Sequence, residues 1–295
     1  MKSTPHGTAA IMLALLASPC FAESGNWSAD VSGNWSNSAN WSPGPVADDV
    51  GFTAGFTNDL TATRTVTLDT ARTIGQLTFA DANTATPAGW ALAGTSPLTL
   101  AVASGSPVIS VSALAANQVA QVSTPLAGAA FIKKGAGTLV LAGASTFTTA
   151  TLAFASENAG AVRVTRGDAL GGIATVAMPG TNTNIARIEL AGNITLAPAL
   201  TTAGRGPDSV FLKNLSDANA WSGNITINNT GGSYSIESAA GTLTLGGTLS
   251  TSVATARTFV LTGSGNGAVA GVVANGSGTI SVQKEGAGTW TFLGP

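Results

Sequence analysis

The sequence predicts an all-β chain whose short strands stack as a solenoid, on three observations. Apolar residues recur in period-two pairs, turn residues separate the pairs, and one turn-and-strand unit recurs almost unchanged. The pairs begin with Val66 and Leu68, Leu77 and Phe79, Leu98 and Leu100, and Ile109 and Val111. They continue with Leu139 and Leu141, Leu152 and Phe154, Val162 and Val164, Ile188 and Leu190, and Ile194 and Leu196. Ile225 and Ile227, Tyr234 and Ile236, Leu243 and Leu245, Ile280 and Val282, and Trp290 and Phe292 complete the series. A small or polar residue usually separates the two members, so each unit reads as a strand with one buried and one wetter face. Units starting at Ile225, Tyr234 and Leu243 lie nine residues apart, and Val66 to Leu77 spans eleven. Strands this short suit coils laid one on the next. A β-sandwich is the alternative, because strands spaced about 8 to 12 residues apart are also its signature.

The recurring unit is KKGAGTLVLAG at Lys133 to Gly143 and KEGAGTWTFLG at Lys284 to Gly294, offset by 151 residues. Physically it reads as a glycine turn, with Gly135 and Gly137 supplying backbone freedom, that feeds a strand ended by Gly143. The large side chains of that strand, Leu139 and Leu141 or Trp290 and Phe292, are expected in the core. A phosphate-cradling loop is excluded, since it needs GxxxxGK followed by Ser or Thr at the start of a helix.

These units, with the strand from Gly278 to Val282 ahead of the second, resemble the autotransporter-associated β-strand repeat of bacterial passenger domains and large envelope proteins. The resemblance implies a right-handed parallel β-helix and a role in export and surface display without an active site. Autotransporters also end in a membrane barrel of alternating strands. Here Pro295 follows the second unit directly, which implies another export route or a longer protein.

The N-terminal region has its own character. Met1 to Ala22 carries Lys2, an apolar run from Ala9 to Ala17 and small residues before Glu23, as a secretory signal peptide does. Acylation at Cys20 is the alternative. Cleavage before Glu23 removes His6 and Cys20, the one histidine and the one cysteine of the chain. From Trp27 to Ser42 an Asn-Trp-Ser core recurs three times, around Trp27, Trp35 and Trp41, before Pro43-Gly44-Pro45. The tryptophans read as a cap over an open solenoid end, which would otherwise expose strand edges. The alternative is a sugar-stacking platform on Trp27, Trp35 and Trp41. The expected organisation is a signal peptide over 1–22, a Trp-rich cap segment over 23–58 and a strand-repeat solenoid over 59–295.

Composition narrows the function classes. Charged residues are 9% of the chain, against about 25% in ordinary soluble domains. Without Lys2, 11 basic residues face 14 acidic ones, with no basic block to bind nucleic acid. No stretch of the mature chain is long and apolar enough to cross a membrane. Loss of His and Cys removes the usual triads and zinc sites, and no cofactor is expected. Gly171-Gly172, Gly231-Gly232 and Gly246-Gly247 lack the Asp of calcium-binding turns. Asp69, Asp81, Glu157, Glu189, Asp208, Glu237 and Glu285 read as solitary, solvated acids, and Asp48-Asp49 as a locally hydrogen-bonded turn. Arg163, Arg166, Arg187 and Arg205 read as scattered surface charges. The expectation is an exported, non-catalytic structural or adhesive protein at the cell surface or outside the cell, or in the periplasm without further export. Its partners would be surface glycans or neighbouring envelope proteins. A carbohydrate-binding module is the alternative, with a β-helical polysaccharide-degrading enzyme behind it.

Overall fold

The computed structural model describes residues 23–294 except 113, 149, 157, 181–184 and 207–208. The signal-peptide reading, with Lys2, His6 and Cys20, lies outside the described residues, as do Glu157 and Asp208. The chain forms a β-solenoid of about 10 turns with almost no helix. Among the described residues no helix is long and apolar enough to cross a membrane.

Each coil passes three faces in turn. The first face is a 12-stranded sheet, the second an 11-stranded sheet, and the third is divided into sheets of four and five strands. The coil of Ile225–Ile227, Ser233–Ser238 and Thr242–Leu245 shows the plan, one strand per face. Ile225 pairs with Leu249, Tyr234 with Phe259 and Leu243 with Gly267, all parallel. A sandwich would set antiparallel sheets face to face. Here the one antiparallel pairing among the named strands is that of Gly25–Trp27 with Trp41–Ser42.

Parallel stacking turns the period-two pairs into continuous rows. On the second face Trp90, Ala120, Leu139, Val162, Ile188, Leu212, Ile236 and Leu261 sit in successive register, all buried. Beside them run Val66, Leu92, Val122, Leu141, Val164 and Leu190. Each inward residue is covered by its counterparts one coil above and one below, which is how strands of three to six residues secure a dry core. Tyr234 lies inward as the alternation requires; its hydroxyl donates toward the carbonyls of Asn229 and Thr230, at 3.1 and 2.6 Å.

The Trp-rich segment is the first coil of this stack. Gly25–Trp27 pairs in parallel with Thr53–Phe56 and Gly33–Asn34 with Arg64–Thr67, so the sheets run without a break across residue 58. Trp41–Ser42 then folds back along the outer edge of the first face. Trp27 and Trp35 are wholly buried and Trp41 nearly so. Their rings pack at 4.9 to 6.2 Å with one another and with Phe56, which stacks on Phe79. Each indole N–H has a carbonyl acceptor: Val31 for Trp27, Ala47 for Trp35 and Trp35 for Trp41.

The last coil departs from expectation. Phe292 sits over buried Val269, as an inward residue should, yet it is 54% exposed and Leu293 is 67% exposed. The position faces the core axis, but among the described residues no further coil lies above it.

Candidate functional site

Two constellations carry polar chemistry in this fold, and both arise from stacking. The first is the glycine corner of the recurring unit. Lys133 lies inward on the first face, in register between Ile109 and Phe154, and is wholly buried. Its ammonium curls into the corner and donates to the carbonyls of Lys134, Gly135, Gly137 and Ala159, at 2.8 to 2.9 Å. The first three belong to its own corner, and Ala159 to the coil above. Burial pushes this lysine down to about 7, and the ring of carbonyls opposes that push by accepting from the protonated form. A buried cation requires such acceptors. Gly135 makes the corner possible with φ +75°, and a Cβ on Gly137 would stand 2.1 Å from the Ser112 carbonyl oxygen.

The second copy reproduces the corner one face further on. Lys133 and Leu139 straddle the edge between the first and second faces, whereas Lys284 and Trp290 straddle the edge between the second and third. The 151-residue offset is thus a whole number of coils plus one face. The unit is a corner module, usable wherever the chain turns from one face to the next.

The second constellation is a charge ladder on the outward side of the second face. Arg163, Glu189, Lys213 and Glu237 are successive register partners. Glu189 is almost fully buried and accepts from Arg163 through one oxygen and from Arg187 through the other, at 2.8 and 2.7 Å. Lys213 meets Glu237 at 2.9 Å. Shallow grooves flank the ladder on the side of Arg187, lined on one stretch by Ile185, Ser209 and Lys213 and on the other by Asn117, Gln118 and Arg163. Both carboxylate oxygens of Glu189 are engaged by guanidinium groups, so this acid is set to hold register.

The structure corrects several expectations about charged groups. Glu189 and Glu237 are not solitary solvated acids but rungs of the ladder. Asp69 accepts from the backbone N–H and hydroxyl of Ser36 one coil away, and Asp81 is buried and accepts from the N–H groups of Leu60 and Asn83. Arg163 and Arg187 are ladder members, and Arg166 pairs with Asp168. Arg205 is buried; it donates to Thr202, Ser209 and the Ala186 carbonyl, and burial lowers it to about 9. Asp48 and Asp49 do accept locally, from the N–H groups of Asp49 and Val50, and Asp48 also joins two coils through Arg72 at 2.8 Å and the Thr73 N–H at 2.9 Å. Half-buried Asp30 is held well below the usual carboxylate range by Arg64 and Thr61. Trp27, Trp35 and Trp41, the residues of the sugar-stacking alternative, are buried within the first coil and present no open ring face there.

The ladder had a signal in the sequence. Arg163, Glu189, Lys213 and Glu237 alternate in sign at intervals of one coil, 24 to 26 residues. Among the described residues no three of His, Cys, Asp and Glu gather in one place. Compared with known proteins, the chain matches no family profile, no curated protein and no solved structure.

Proposed function

We propose that this chain is an exported structural or adhesive surface protein of the autotransporter-associated repeat type, working as a stiff extended spacer without catalysis. The observation that carries the reading is the stack of parallel coils, whose inward residues are mostly apolar and whose buried polar groups are engaged at corners and between coils. Such a body lengthens by adding coils without needing a wider core, and its outward surface of Thr, Ser, Asn and Gly is suited to contact with glycans or envelope proteins. The Lys-Gly-Ala-Gly-Thr corners and the apolar leader before Glu23 support the same assignment.

The test is made on cells producing the full chain. The protein should appear outside the cytoplasm beginning at Glu23, be cleaved by protease added to intact cells, and change attachment of those cells to surfaces when deleted. Retention in the cytoplasm with Met1 intact would end the proposal, and so would unchanged attachment together with protection from external protease.

A further inference from the structure

Among the described residues every ion pair joins one acid to one base except at Glu189, which serves both Arg163 and Arg187. The cluster therefore carries one positive charge in excess, in a chain whose formal net charge is −2. The two signs are also buried unequally. The Glu189 side chain is 3% exposed, while those of Arg163 and Arg187 are 32% and 34% exposed. Solvent thus meets guanidinium, with the balancing carboxylate tucked beneath. Arg187 places its Nε on Glu189, and its two terminal nitrogens have no acceptor among the described residues. A guanidinium held in a fixed orientation with free donors is suited to an external oxyanion.

Both arginines line one trough of about 410 Å³ beside the ladder. Val119, Thr138, Ala161 and Arg187 are successive register partners along it. Neighbouring strands stand about 4.8 Å apart, so these three steps carry the trough about 14 Å along the solenoid axis. The end away from the arginines is polar and uncharged. Asn117, with φ +62°, stands exposed on a turn closed by the Gln118 N–H on the Ala115 carbonyl, and Gln118 and Thr138 continue the lining. Cations at one end, with amides and a hydroxyl at the other, suit a ligand that is long, hydroxylated and anionic. Among the described residues no aromatic ring lines the trough to stack a nucleic-acid base. The strands of this face are already paired coil to coil, so a peptide has no open edge to join here.

We propose that this trough binds a carboxylated polysaccharide lying along the solenoid axis. One sugar carboxylate sits on Arg187 and Arg163, and hydroxyls of the neighbouring sugars meet Thr138, Gln118 and Asn117. The proposal rests on the adhesive reading above and narrows its partner to one class of surface glycan.

The experiment titrates the purified chain by calorimetry with oligogalacturonate and with alginate oligomers, beside neutral dextran and polyglutamate of matched length. Saturable binding of an acidic sugar is expected, weakened by added salt, with none to dextran and at least about tenfold weaker binding of polyglutamate. Arg187→Gln should weaken sugar binding about tenfold or more, and Asn117→Gly severalfold. Glycine keeps the positive φ of Asn117, and Arg187→Gln leaves Glu189 its Arg163 partner; circular dichroism checks both folds. Arg166→Gln removes an equal charge beyond the other end of the same strands and should change nothing. No saturable binding of either acidic sugar would overturn the proposal. Equal binding of polyglutamate, or equal loss from Arg166→Gln and Arg187→Gln, would overturn it too, by reducing it to charge attraction alone. Should cells attach through the chain while this titration fails, the adhesive reading stands and the assigned ligand falls.

Discussion

The corner at Lys133 and the corner at Lys284 have nearly the same sequence and different surroundings. Lys133 is enclosed by four carbonyls, one of them from the coil above, and Leu139 and Leu141 behind it are buried on both sides. Lys284 reaches two carbonyls, and among the described residues Trp290 and Phe292 have a neighbour below and none above. In a solenoid, then, a residue's energetic weight depends on its place in the stack as much as on its local motif.

The sharpest way to break the comparison is to place a charge in each copy. Leu139→Asp should cost several kcal/mol, as burial of an unpaired carboxylate does. Phe292→Asp, whose new carboxylate reaches water, should cost about 0.5 kcal/mol or less. Urea titrations of the two variants measure the difference, and equal costs would mean that the last coil is as enclosed as the middle ones. The aromatic ends extend the test: Trp35→Ala should lose about 3–5 kcal/mol, and Trp290→Ala distinctly less, judged by the same titrations.

The lysines sharpen it further. Lys133→Met removes the donor that four corner carbonyls share and should cost about 1–3 kcal/mol, against about 0.5 kcal/mol or less for Lys284→Met. The same lysine is also tested through pH. Burial holds Lys133 near 7 in the folded chain, while the unfolded lysine titrates near 10.4. Below pH 7 both states carry the proton and the burial cost is complete. Between about 7 and 10.4 the unfolded chain binds more protons, so stability rises with pH. Wild-type protein should therefore gain stability relative to Lys133→Met across that window, as followed by melting temperature. A flat difference would mean that the carbonyl ring fully offsets burial.

Much of the fold was legible because alternation is local. Val66 and Leu68, or Ile225 and Ile227, declare an inward side by themselves. What stayed illegible was pairing across coils. Ile225 and Leu249 are 24 residues apart, but Leu77 and Ile109 are 32, so loops of uneven length hide the register. Glu189 therefore looked solitary, although each of its oxygens meets an arginine. The same unevenness hid the one-face shift between the two corners. Phe292 was read as buried because alternation reports direction and not whether a coil lies above. Lys133 was missed as a core residue because its charge reads as surface until the carbonyls of its corner are in place.

Native-state hydrogen exchange tests the central claim most directly, since it reports protection coil by coil. The account predicts strongest protection on the inner coils around 90–92, 139–141 and 188–190, lasting protection around the buried tryptophans of the first coil, and fastest exchange at 273–294. It also predicts that Phe292→Asp accelerates exchange in the last coils and leaves 139–141 unchanged. One uniform level of protection along the chain, lost everywhere at once in that variant, would contradict a stack of coils coupled only to their neighbours.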